Sequence, residues 1–278
     1  MRSGCHILAI VATAILLNIG FGLVAEAAPK ADLWPRWQAH DPQNSTSVDH
    51  SAWGRLLETY LVVGKPGAVN LFRYQAVTAP DRQKLDQYIA ALASVSVAKL
   101  NRAEQKAYWI NFYNALTVKI ILDNYPVKSI RDIKSGLFKP GPWDLKLVRV
   151  EGVELTLNDI EHRILRPIWQ DHRIHYAVNC ASLGCPNLQP EPFTAENSER
   201  LLDKGAREYV NSFRGARFEG STLVLSEIYD WYREDFAGSR EGIYRHLRLW
   251  AEPPLAAALQ AFAGEVIYDY DWRLNELK

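Results

Sequence analysis

The side chains best suited to chemistry gather in one stretch, Arg173-Ile174-His175-Tyr176-Ala177-Val178-Asn179-Cys180-Ala181-Ser182-Leu183-Gly184-Cys185-Pro186, with His162 and His172 just upstream. Four chemistries fit two thiols separated by four residues. The first is a Cys180–Cys185 disulfide, which so short a span permits if the chain turns. The second is a thiolate nucleophile at Cys180. This requires a depressed pKa, supplied by a helix N-terminus or a neighbouring imidazole. The third is structural zinc, because Cys180, Cys185, His175 and His162 are Cys2His2 ligand types, although their spacing follows no zinc pattern and no metal is expected. The fourth is a plain core of buried thiols and satisfied histidines.

The apolar run Ile174 to Val178 reads as a buried strand ending at Asn179 and Cys180, followed by a Gly/Pro-punctuated turn. In an unbroken strand, His175 and Cys180 face opposite sides. Either the strand therefore stops before Cys180, or another residue is the base, and His162 is then the better partner by elimination. Asn158, Asp159 or Asp271 are the groups that would orient it. Glu161, beside His162, suits a general acid or base, but helical pairing with Arg163 or Arg166 is the commoner use of such a residue.

The elements that must carry these groups follow from periodicity and capping. Helices are predicted over Ser51 to Val63, from Pro80 through Leu92, and over Asn101 to Tyr125, where Asn101 and Glu104 form a capping-box start. The third helix is apolar on nearly every face and should be central and buried. Asn111 and Asn114 share one of its faces. Buried amides need partners, so they either tie down neighbouring loops or orient a substrate. A hairpin is expected around Glu151-Gly152, and a second uses Glu219-Gly220. Thr156 with Asp159 caps a helix from Leu157 to about Arg166 that carries His162. Further helices are expected from Thr194, over Glu227 to Phe236, over Arg240 to Trp250 and over Leu255 to Phe262. Val266 to Asn275 reads as a final strand. Strands interleaved with more numerous helices predict an α+β fold: a single helix-rich domain over residues 51–278 with a small, mostly antiparallel sheet.

The 278 residues are 48% hydrophobic and carry 32 basic and 32 acidic side chains, so no overall positive field argues for nucleic acid. Nine Trp and thirteen Tyr suit an aromatic-rich core better than a sugar-stacking surface. Residues 1–27 have the pattern of a signal peptide: Arg2, an apolar run from Ile7 to Val24, then Ala25-Glu26-Ala27. Residues 28–50, broken by Pro29, Pro35 and Pro42, read as an extended lead-in. Export, to the periplasm or beyond the cell, would allow the thiols to pair, and no stable membrane span is expected after cleavage.

Several motifs in order resemble the family catalogued as domain of unknown function 547. They are Tyr108-Trp109-Ile110-Asn111-x-Tyr113-Asn114-Ala115-Leu116, Leu157-Asn158-Asp159-Ile160-Glu161-His162, Arg173-Ile174-His175 with Asn179-Cys180-Ala181-Ser182-x-Gly184-Cys185-Pro186, Ser226-x-Ile228-x-x-Trp231-Tyr232-x-x-Asp235-Phe236, and Tyr270-Asp271-Trp272-x-Leu274-Asn275. The resemblance spans roughly residues 50–275. It implies export of bacterial members and no established activity. The plan of a Cys at a turn with His and Asn/Asp elsewhere is also similar to that of papain-like and transglutaminase-like thiol enzymes, an analogy of arrangement only.

No Walker, dinucleotide, Gly-x-Ser-x-Gly or His-Glu-x-x-His motif is present, so no cofactor is expected. The functional expectation is thiol-dependent hydrolysis or acyl transfer on a peptide-like amide. Cys180 would be the nucleophile, with His162 or His175 as base, and Asn111, Asn114, Glu161 and Asp271 would orient the substrate. The alternative is a non-catalytic exported binding module whose cysteines are paired and which takes a small or peptide-like ligand.

Overall fold

The computed structural model describes residues 28–136 and 140–278, so the expected signal peptide, with Cys5, lies outside the described residues. Its centre is the helix α3 (Arg102–Asn124), in which eighteen residues are buried. Asn101 caps it by accepting the Glu104 amide at 2.9 Å, and Tyr125 leaves it in an extended conformation before Pro126. Packed around α3 are α1 (Ser51–Tyr60), α2 (Ala79–Ala93) and the two-stranded pair β1 (Leu61–Val62) and β2 (Leu71–Phe72). Thr78 caps α2, accepting the Asp81 amide at 3.3 Å.

The hairpin β3 (Val148–Val150) and β4 (Val153–Leu155) turns at Glu151-Gly152, both with positive φ, as a two-residue connection of this kind requires. A π-helical turn, Asp159–Leu165, then runs into the short α4 (Arg166–Trp169). Pro167 explains part of the irregularity, because it has no N–H to give back to the preceding turn. After α5 (Ser198–Val210) comes a three-stranded sheet: β5 (Ala216–Glu219) pairs antiparallel with β6 (Thr222–Ser226), and β6 pairs parallel with β7 (Val266–Asp269). Between β6 and β7 lie α6 (Ile228–Trp231), α7 (Arg240–Trp250) and α8 (Pro253–Ala261). The helix-rich α+β architecture with small, mostly antiparallel sheets is as expected.

Several local expectations need correction. Ile174 to Val178 is not a strand: His172–Tyr176 is a 3-10 helix capped by Asp171. Asp171 accepts the Arg173 amide at 2.9 Å, and this local bond diverts an apolar run into helical turns. Thr194 does open the α5 region, with its hydroxyl accepting the Asn197 amide, but regular helix begins only at Ser198. Helical geometry after Glu227 ends at Trp231, and only turns continue to Phe236. The final strand stops at Asp269. Beyond it the chain is pinned by single bridges, Ser182 to Leu274 and Phe72 to Glu276. The lead-in includes a 3-10 turn, Pro35–Gln38, that buries Trp37 edge-on against Trp109 of α3 at 5.2 Å.

Buried apolar side chains form two clusters, one around α3 and one around α5, α7 and the three-stranded sheet. A cavity of about 740 Å³ draws its walls from both: Tyr113 and Val178 belong to the first, and Ile228, Trp231, Tyr232 and Tyr270 to the second.

Candidate functional site

Cys180, Cys185, His162, His175 and Glu161 all line this cavity. The correction at Ile174–Val178 makes this possible, since a helical turn removes the strand alternation that would have set His175 opposite Cys180.

Cys180 sits half-buried on a turn held from several sides. The Asn179 amide donates to the Pro186 carbonyl at 2.7 Å, and its oxygen accepts the Ala181 N–H at 2.8 Å. Ala181 has a φ of 57°, so the turn is tight. Gly184 passes so close to the later chain that a Cβ there would lie 2.7 Å from the Asp271 nitrogen, which leaves room only for glycine. Arg214 donates to the Leu183 and Cys185 carbonyls, and Tyr209 donates to the Gly184 carbonyl at 2.7 Å.

Cys180 and Cys185 are not bonded to each other in this structure. The Cys180 N–H donates to Cys185 Sγ at 3.0 Å. Cys180 Sγ lies 3.1 Å from Ser182 Oγ and 3.0 Å from the Tyr270 hydroxyl. Burial works against a Cys180 thiolate, but hydrogen bonds from the Cys185 thiol, Ser182 and Tyr270 outweigh it and hold the thiol below its ordinary pKa. Burial and the neighbouring Cys180 push Cys185 well up, so the two sulfurs are not equivalent. Cys180 does not open a helix: among the described residues it lies between the 3-10 helix His172–Tyr176 and α5. The depression comes from hydroxyl and thiol donors instead.

The imidazoles differ as sharply. His175 Nε2 lies 2.7 Å from Asp235 Oδ2. An ionised carboxylate only accepts, so Nε2 carries the proton and Nδ1 holds the free lone pair. His175 is 4% exposed, and its Nδ1 has no hydrogen-bond partner among the described residues; Glu161 Oε1 is its nearest charged neighbour, at 3.8 Å. Tyr232 stacks on the ring with centroids 4.0 Å apart. Asp235 is gripped by Arg166, whose Nε and Nη2 reach its two oxygens at 2.7 and 3.1 Å. Burial opposes ionisation of Asp235, but His175 and Arg166 overcome it and hold the carboxyl far below its usual range.

His162 plays a different part. Arg166 Nη1 donates to its Nδ1 at 3.0 Å, which uses up the lone pair a base would need. Burial, with the Arg166 charge adding to it and Glu161 opposing, drops His162 to about 4, so it stays neutral near neutral pH. Glu161 is also buried. Burial alone would raise its carboxyl, yet His162, His175, Arg166 and the Tyr113 hydroxyl together hold it below the usual value. The cavity wall thus carries a Glu161 carboxyl biased toward its ionised form.

Asn111 and Asn114 take the loop-tying role. Asn111 donates to the Phe193 carbonyl at 2.7 Å and accepts the Phe193 N–H at 3.0 Å. Asn114 donates to the Ala177 carbonyl at 2.9 Å and accepts the Asn179 N–H at 2.8 Å. The second clamp fixes the backbone just before Cys180, so Asn114 positions the thiol without facing the cavity. Asp271 pairs with Arg273 at the surface and stays off the cavity wall, whereas its neighbour Tyr270 reaches the thiol. Adjacent residues of an extended chain point to opposite sides, so choosing between them was a question of register. Asn158 and Asp159 bond Asp144 and Thr156 and leave His162 to Arg166.

Sequence reasoning gave Asp235, Arg166, Tyr270 and Ser182 no role at the site. Asp235 lies sixty residues from His175, and its only signal was a place in the aromatic motif Trp231-Tyr232-x-x-Asp235. Among the described residues, no group of three or more His, Cys, Asp and Glu side chains is arranged to hold a metal ion. No described helix is long and apolar enough to cross a membrane.

Residues 97–210 match the family model described as a protein of unknown function, DUF547. That stretch contains α3, the π-helical turn, the 3-10 helix and both thiols, and it supports the resemblance read from the motifs. Asp235 and Tyr270 lie outside it. No curated protein and no solved structure matches the chain, so the papain-like analogy of plan gains no support.

Proposed function

We propose that the protein is a thiol-dependent hydrolase or acyltransferase acting on a peptide-like amide, in the periplasm or outside the cell. Cys180 is the nucleophile, His175 the base and Asp235 the group that orients it. The observation that carries this reading is the buried, unpartnered Nδ1 of His175 in the cavity that also holds the acidified Cys180 thiol. The thiol donates its proton to His175 Nδ1, and the sulfur forms a bond to the amide carbonyl carbon. Collapse of the adduct breaks the C–N bond, and the imidazolium returns the proton to the leaving amine. Water, or a second amine, then releases the acyl group from the thioester. Glu161, 3.8 Å from Nδ1, stabilises the imidazolium between the two transfers. The hydroxyls of Ser182 and Tyr270, both at the sulfur, are the available donors for the developing oxyanion.

The test is mass spectrometry after brief iodoacetamide treatment of the non-reduced protein. Rapid, selective labelling of Cys180 that slows in His175→Ala and Asp235→Asn fits the reading; protein purified with no free thiol would end it. One observation favours a second reading, an exported binding module with a Cys180–Cys185 disulfide: the two thiol side chains are close enough for Cys185 to act on the Cys180 sulfur. Under that reading, Cys180→Ser lowers stability and leaves ligand affinity per folded molecule unchanged.

A further inference from the structure

Residues 28–34 are bound in an unusual way. Two of their backbone amides donate to the π-helical turn, Asp32 N–H to the His162 carbonyl at 2.9 Å and Trp34 N–H to the Arg163 carbonyl at 3.0 Å. Pro167 stands where a π-helical register would pair the His162 oxygen and an α-helical register the Arg163 oxygen. Arg166 already reaches back to Glu161, and Pro167, next in line for either oxygen, has no N–H. The turn therefore presents two carbonyls outward in register for an extended chain. A third contact runs the other way: Arg166 Nη1 donates to the Pro29 carbonyl at 2.6 Å. Arg163 adds a stack on Trp34, 4.1 Å from its ring centroid, and a 3.6 Å contact to Asp32.

This hold is thin. Pro29 through Leu33 are all exposed, and the segment buries little apolar surface. Ala28 and Pro29 line the cavity of Cys180, His162 and His175. Two N–H donors and one carbonyl acceptor, repeated along an extended backbone, describe any polypeptide strand rather than this one alone.

We infer that the outer face of the π-helical turn is a binding subsite for an extended polypeptide, occupied at rest by the chain's own residues 28–34, and that displacing this strap opens the thiol cavity to a peptide in trans. The incoming strand would take the His162 and Arg163 carbonyls with its amides and the Arg166 guanidinium with a carbonyl. The inference deepens the reading of Cys180 as nucleophile by naming an extended peptide as its substrate class, but its test reads binding and thiol access, not turnover.

The experiment compares the wild-type chain with Trp34→Ala and with D32A/W34A, each checked for native near-ultraviolet circular dichroism. The probe is the synthetic nonapeptide of residues 28–36, fluorescently labelled. Losing the cation–π stack should raise the open fraction, and with it the Cys180 alkylation rate, roughly fivefold. Excess nonapeptide should restore protection, and its fluorescence anisotropy should rise with the variants far more than with wild type. The same anisotropy measurement in D32A/W34A carrying Cys180→Ser separates the two ideas: binding there sustains the subsite even if the thiol proves unreactive. A folded variant that neither labels faster nor binds the nonapeptide would overturn the inference and leave residues 28–34 as a fixed wall. If D32A/W34A fails to fold, Arg163→Ala, which removes both side-chain contacts and leaves the strap intact, decides in the same way.

Discussion

Two buried polar regions lie within a few residues of each other and are built on opposite principles. In α3, the amides of Asn111 and Asn114 each exchange one bond given and one accepted with a single stretch of passing backbone. On the cavity wall, His175 keeps one nitrogen unpartnered and Cys180 keeps a thiol beside two hydroxyls. Buried polar groups that are saturated hold a fold together, while those left unsatisfied and facing a void are stored capacity for reaction. Residue type does not separate these cases, because both regions consist of small polar side chains in apolar surroundings.

Acid should separate them most strongly. The Asn clamps do not titrate, but burial lowers His162, on the cavity wall, to about 4. Between the ordinary histidine value of about 6.5 and that value the unfolded chain binds the extra proton. This contribution to stability is therefore full above pH 6.5, is lost as pH falls by roughly 1.4 kcal/mol per pH unit, and stops falling below about 4. Urea midpoints across that range measure it; a flat profile would mean that the ring is not held neutral. Next comes Asp235→Ala, which strands Arg166, whose side chain is only 4% exposed. A loss of about 3 kcal/mol is expected, so this part of the cavity wall is structural as well as reactive.

Asn114→Ala leaves the Ala177 carbonyl and the Asn179 N–H buried without partners and should cost about 2 kcal/mol in thermal unfolding. It should also broaden the alkylation kinetics of Cys180, since that clamp sets the thiol's backbone. Cys180→Ala removes the sulfur contacts to Ser182 and Tyr270 but leaves those two hydroxyls bonded to each other at 3.1 Å, so a stability change under about 1 kcal/mol is expected. A drop as large as that of Asn114→Ala would erase the contrast between the regions. The smallest effect belongs to Asp271→Ala. Its partner Arg273 is 78% exposed, so stability should move by less than about 0.5 kcal/mol and thiol labelling should not change.

The parts of this arrangement that were legible in the sequence are those set by local rules. The Asn101 cap, the buried length of α3, the Glu151-Gly152 turn and the Thr156/Asp159 cap all follow from neighbours in the chain. The 3-10 helix at His172–Tyr176 was misread because an apolar run of five has the same hydrophobicity in a strand or in buried helical turns. The signal against a strand was Asp171, whose side chain caps the turn. Asp235 and Tyr270 were beyond local reach, as only the packing of the second cluster on the first brings them to His175 and Cys180. His162 was preferred over His175 on the strength of that missing strand. Its bond to Arg166, four residues on, shows that a histidine on a helix facing an arginine one turn later is the weaker choice of base.

The contact between Cys180 and Tyr270 spans ninety residues of chain. During synthesis the sulfur therefore emerges long before the hydroxyl that helps to acidify it. For that interval it lacks one of the three donors that lower its pKa, because Cys185 and Ser182 follow it at once but Tyr270 does not. The chain thus arms itself fully only after β7 has joined the sheet, so the order of translation delays the last increment of reactivity until folding is nearly done.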